Sequence, residues 1–126
     1  MEESMAISDA ESVVMEVLWR EHPLSAEEVV EALAETMDWQ EPTVKTLLNR
    51  LLKKRAIAAD RDGRRYLYRP LLERADYIHA ESKSLLDRLF EGRVAPLVAH
   101  FSERRKLTRK DLDELKQLIK ELDDER

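Results

Sequence analysis

One short stretch, DRDGRRYLYRP from Asp60 to Pro70, constrains this chain more than any other. It alternates in the manner of a strand, turns on Asp62-Gly63 and carries four arginines, in a chain whose apolar residues otherwise recur at helical spacing. Two strand-like runs, IAADR and RRYLYRP, flank the Asp-Gly pair, and a tight primed turn needs the positive φ that glycine supplies. The segment predicts a β-hairpin closed by Pro70, with Tyr66 and Tyr68 packing on the sheet and core.

Three helices are expected before the hairpin. Ser8 and Glu11 make a capping box for the first, about Ser8–Glu21, with Ile7, Ala10, Val14, Val17 and Leu18 on one face. Pro23 disfavours a helical His22 and breaks the pattern at HPLS. Ser25 and Glu28 repeat the box for a second helix, about Ala26–Met37. The third starts at EPTVKTLLNRLLKKR, with Pro42 suited to the first helical position. Val44, Leu47, Leu48, Leu51 and Leu52 fall in one narrow arc; Thr46, Asn49, Arg50 and Lys53 lie opposite, with Thr43 and Lys45 on the flanks. Lys53, Lys54 and Arg55 close it, where cations favour the helix dipole.

Three more helices are expected after the hairpin. The first runs from about Glu73 to Phe90, carries Ile78, Leu85, Leu86 and Leu89, and is stopped by Gly92. A short one follows with Val94, Leu97, Val98 and Phe101. The last is capped by Thr108 and Asp111 and presents Leu112, Leu115, Leu118, Ile119 and Leu122. The order helix, helix, helix, hairpin is that of a winged helix-turn-helix domain. The fold expected is therefore mostly α with a small β-hairpin wing, residues 1–71, followed by a helical region, residues 72–126.

Charge points the same way. The net of −5 hides an asymmetry: residues 1–40 hold 11 acids and 1 base, residues 41–70 hold 9 bases and 3 acids, and the remainder is near neutral. A basic block in an acidic chain is the footprint of a polyanion. The major groove of a duplex admits one helix, which needs an apolar face for the core and an outer face that reaches base edges. Thr43, Lys45, Thr46, Asn49 and Arg50 supply that outer face: Arg pairs with guanine, Asn with adenine, and the Thr methyl with the thymine methyl. Lys53 lies beside them. Arg61, Arg64, Arg65 and Arg69 on the hairpin would carry charge to a phosphate ridge. Dimerisation would assist a domain this small.

The run WQEPTVKTLLNRLLKKRAIAADRDGRRYLYRPLLERADYI, continued by LVAHFSERRKLTRKDLDELKQLIKEL, resembles the penicillinase-repressor family (BlaI/MecI/CopY type) over about Ser8–Leu122. The specific parts are W-x-x-x-T-V-x-T-L-x-x-R-L-x-x-K and the G-R-x-Y-x-Y-x-P wing. The resemblance implies a homodimeric repressor of transcription, acting in the cytoplasm on a palindromic operator in double-stranded DNA. It implies that Thr43, Lys45, Thr46 and Arg50 read and anchor, with Trp39 and Arg64 near the backbone. It implies that the last three helices form the dimer, with Ile78, Leu86, Leu89, Val98, Phe101, Leu112, Leu115 and Ile119 as contact residues. Several members are cut by a membrane-bound sensor protease on a β-lactam signal; the bond aligned here is His100–Phe101, with histidine where the family has asparagine. The copper-responsive branch uses a cysteine-rich tail, and this chain has no cysteine.

Other chemistry finds little purchase. His22, His79 and His100 are scattered, so no metal site is expected, and no Gly-rich phosphate loop or other cofactor signature exists. Enzyme activity is not expected. No apolar run approaches the roughly 20 residues that span a bilayer, and the acidic start lacks a signal-peptide pattern. A reading from a different class is a winged-helix protein–protein adaptor, which would have no need of the clustered arginines.

Overall fold

The structure, a computed structural model, describes residues 6–125. Part of the acidic start, residues 1–5, lies outside them. Six helices and one hairpin follow in order: α1 Asp9–Arg20, α2 Ala26–Leu33, α3 Glu41–Lys53, β1 Ile57–Asp62, β2 Arg65–Pro70, α4 Arg74–Leu89, α5 Val94–Glu103 and α6 Arg109–Asp124. The chain divides into two compact units, one ending at Ile78 and one beginning at His79.

The first unit owes its helix starts to local chemistry. Ser8 and Ser25 each accept the N–H three residues on, at 3.1 and 3.2 Å, while Glu11 and Glu28 each accept the cap residue's own N–H at 2.8 Å. α2 ends at Leu33, four residues before the sequence pattern suggests. The N–H of Ala34 bonds to Glu31 O and that of Thr36 to Leu33 O, so the helix tightens into a three-residue turn at its end although Ala34, Glu35 and Met37 are good helix formers. α3 begins one residue before Pro42, which falls at the second helical position, still among the unpaired donors.

Val14, Met15, Leu18, Val29, Val44, Leu48 and Leu51 are fully buried and form the centre of one core. Tyr68 of β2 and Leu24 join it. These two exchange backbone bonds, Leu24 N–H to Tyr68 O at 3.1 Å and Tyr68 N–H to Leu24 O at 2.7 Å. The HPLS break is thus an extra bridge that pins the hairpin to the helices.

Glu11 is buried as well, and its carboxylate meets the Lys54 ammonium at the end of α3 at 2.5 Å. Burial pushes the Glu11 carboxyl up, but Lys54 and the Ser8 N–H outweigh it, and the net direction is down. The start of α4 belongs to this unit. Trp19 Nε1 donates to Leu72 O at 2.8 Å, Arg74 meets Glu16 at 3.0 Å, and the Trp19 and Tyr77 rings lie 5.5 Å apart.

The second unit differs in kind. None of the described residues of α4, α5 or α6 is buried. α4 stops where Gly92, at φ +74°, donates its N–H to Leu86 O. Thr108 and Asp111 form the expected box at α6.

Candidate nucleic-acid interface

α3 divides as its sequence pattern requires. Val44, Leu47, Leu48 and Leu51 are buried, whereas Thr43, Lys45, Thr46, Asn49, Arg50 and Lys53 are all exposed. Polar atoms on the open face are free to exchange water for a base or a phosphate at little cost. Thr46 Oγ1 donates to Pro42 O at 3.0 Å, so its methyl and its acceptor lone pairs are what it can offer. Lys45 Nζ lies 2.9 Å from Glu41 Oε2, and that carboxylate raises the lysine pKa. Trp39 is half-buried against the core just before α3 and holds that entry loop.

The wing is shifted from the expected geometry by one residue. Asp62 pairs with Arg65 in the ladder, so the two-residue turn is Gly63-Arg64 and not Asp62-Gly63. Gly63 has φ +64°, while Arg64 does not share the positive φ. That combination suits a turn with glycine at its first central position. A Cβ on Gly63 would meet nothing within 4 Å, so the glycine serves conformation and not space.

The shift sorts the arginines. Arg65 reaches Asp62 at 3.4 Å, Arg69 reaches Asp60 at 2.9 Å, and Arg61 donates to Gly63 O at 3.0 Å with its guanidinium 5.6 Å from the Tyr66 ring centre. Tyr66 therefore stays half-open beneath Arg61, while Tyr68 is buried. Arg64, at the turn, has no carboxylate within 4.0 Å among the described residues. The exposed pairs are worth at most about 1 kcal/mol each and exchange readily. Lys54, which the sequence groups with the basic block, is committed to Glu11 in the core.

A cleft of about 330 Å³ runs between the starts of α2 and α3 and the wing, lined by Glu27, Glu41, Lys45, Arg64, Arg65 and Tyr66 among others. Sequence reasoning missed Glu27 and Glu41 here; the i, i+4 spacing of Glu41 and Lys45 was the available signal. Cations from a helix and a hairpin thus converge on one face, as a duplex with its ridges of phosphate requires.

The remaining sites are quickly placed. No group of three or more His, Asp or Glu able to hold a metal occurs among the described residues. His22 Nδ1 lies 2.7 Å from Leu18 O, and His100 packs near Phe90 and Phe101. The His100–Phe101 bond lies inside α5. No helix among the described residues is long and apolar enough to cross a membrane.

The sequence matches the family model of the penicillinase repressor over residues 7–121. It is similar to the penicillinase repressor of Bacillus licheniformis, 36% identical over 115 residues, covering 91% of this chain and 90% of that one. It is 31% identical over 113 residues to the methicillin resistance regulatory protein MecI of Staphylococcus aureus (strain N315), covering 90% and 92%. Among solved structures, the DNA-binding domain of the repressor BlaI superposes with a TM-score of 0.54 at 38% identity, covering 61% of this chain and 94% of that one.

Proposed function

Because this chain belongs to the penicillinase repressor family, we propose that it represses transcription by binding a palindromic operator in double-stranded DNA as a homodimer. The observation that carries the reading is the pairing of an open polar face on α3 with Arg64 at the wing turn, which no carboxylate among the described residues engages. In this reading α3 enters the major groove. Thr43, Lys45, Thr46, Asn49 and Arg50 meet bases and flanking phosphates. Lys53, Arg64 and Arg65 meet phosphate, and Trp39 holds the approach.

The division of labour follows the chain: residues 1–71 bind DNA and residues 72–126 dimerise. Ile78, Leu89, Phe101, Leu112 and Ile119 are exposed, and Leu86, Val98 and Leu115 half-buried, which leaves an apolar surface for a second copy to cover. Two half-sites about one helical turn apart would match the two-fold axis. Repressors are not a class of enzyme, and this reading assigns the chain no catalysis and no cofactor. It places the chain in the cytoplasm, with its DNA. Release would come from damage to the dimer, with a membrane-bound sensor protease cutting His100–Phe101 after local unwinding of α5.

The test is a salt-titrated binding assay on the DNA upstream of the protein's own gene, with scrambled DNA beside it. Tight, salt-steep binding that prefers the native DNA is expected. Equal, weak binding to that DNA and to every fragment in a genome-wide pull-down would overturn the reading in favour of an adaptor.

A further inference from the structure

α6 is charged against its own dipole. A helix favours acids in its first turn and cations in its last. α1 obeys, with Asp9 and Glu11 at its start and Arg20 at its end. α6 begins with Arg109 and Lys110 beside the capping Asp111, ends with Asp123 and Asp124, and has no base in its last turn. The inversion extends beyond the helix. Residues 104–110 hold five cations and no acid, and residues 121–125 hold four acids and no cation. A basic approach and an acidic end, left uncompensated within one element, suit a partner outside the chain.

The apolar stripe of α6 says which partner. Leu112, Leu115, Ile119 and Leu122 follow the 3-4-3 spacing of a coiled-coil seam. Ile119 and Leu122 are 58% and 60% exposed and Leu115 is half-buried, so most of the seam is uncovered within the chain. The stripe is symmetric about Gln117. Run antiparallel against a second copy, Leu112 meets Leu122 and Leu115 meets Ile119. Arg109, Lys116 and Asp123 descend one flank at seven-residue intervals, so the same reversal sets Arg109 against Asp123, twice, by symmetry. A parallel pair would set five cations against five. Arg109 is free to switch partners, since its pair with Asp113 at 3.3 Å is highly exposed. Lys116 meets its own copy once and Asp111 lies opposite Glu125 twice; these like charges weaken the contact, though Asp111 is occupied by the Thr108 N–H.

We propose that α6 pairs antiparallel with α6 of a second copy of this chain, with the basic α5–α6 connection and the acidic end of α6 fixing direction and register. The proposal rests on the homodimer reading and adds to it an orientation and a salt-sensitive lock.

The absence of cysteine makes the test clean. Single Lys116→Cys, Arg109→Cys and Asp123→Cys chains, treated with bis-maleimidoethane, report proximity, with sedimentation and circular dichroism monitoring assembly and fold. Lys116→Cys should cross-link to itself, whereas Arg109→Cys and Asp123→Cys should cross-link only when mixed. Self-linking of Arg109→Cys, or a dimer with no cross-links, overturns the arrangement and leaves the dimer standing. A monomer in sedimentation overturns the homodimer reading as well. Independently, Arg109→Glu or Asp123→Arg should weaken the dimer about fivefold to tenfold, as two exposed pairs turn repulsive, and the double variant should restore it. Failure of restoration removes the electrostatic lock.

Discussion

α3 and α6 are written in nearly the same hydrophobic code, yet their apolar faces meet opposite fates. Val44, Leu48 and Leu51 of α3 are sealed by α1, α2 and the hairpin. On α6, Leu112, Leu118, Ile119 and Leu122 are exposed and Leu115 is only half-buried, and none of the described residues of α4, α5 or α6 is buried. An amphipathic pattern records that a face will be covered; it does not record whether the cover comes from the same chain. The difference separates a self-sufficient unit from one that needs company.

The comparison can be broken or sharpened by substitution. The largest effect is expected from Leu48→Ala, which should cost about 2–5 kcal/mol of unfolding free energy at any protein concentration. Ile119→Ala should instead act through assembly, with a loss that grows as the protein is diluted. Equal, concentration-independent losses at both sites would erase the distinction.

Next is the Glu11–Lys54 pair, the charged member of the same interior. Lys54→Met should cost about 2 kcal/mol by leaving a buried carboxylate unpaired, less than for a fully enclosed pair because Lys54 is partly open. Its pH dependence has a definite sign. The Glu11 pKa is lowered in the folded state. The pair's contribution is therefore complete above the ordinary carboxylate range and lost as pH falls through the lowered value. Denaturant melts across the acid range should flatten in the variant; an unchanged profile would assign acid unfolding to other carboxylates.

The open face of α3 should respond through DNA and not through stability. Arg50→Ala is expected to cost about 1–3 kcal/mol on the operator and little on random duplex. Equal losses on both would make Arg50 a backbone contact. A smaller effect is expected at Arg55, whose φ of +62° ends α3 in a left-handed turn. Arg55→Gly should stabilise the first unit by about 1 kcal/mol in thermal melts, by relieving the Cβ clash of that conformation. Smallest in affinity, Arg64→Ala should weaken binding on all sequences and lower the salt slope by about one; an unchanged slope would take Arg64 off the phosphates.

Much of this architecture was legible because its causes are local. Ser8 with Glu11, Ser25 with Glu28, and Thr108 with Asp111 close capping boxes within a single turn of chain, and all three form. The α3 face that reads as polar is exposed residue for residue. What escaped depended on distance along the chain. The Leu24–Tyr68 bridge joins residues too far apart for any periodicity to register. The one-residue shift of the turn to Gly63-Arg64 is set by strand pairing, and it decides which arginine sits at the turn.

By itself, then, the sequence determined the helices, the hairpin, their order and the polar face of α3, because spacing and caps act within a few residues. Only the tertiary structure decided that Lys54 is bound to Glu11, that Arg61, Arg65 and Arg69 are engaged within the wing while Arg64 is not, and that α6 is left uncovered. Those outcomes rest on which surfaces meet, and a charge or an apolar stripe carries no mark of its partner until packing brings one within reach.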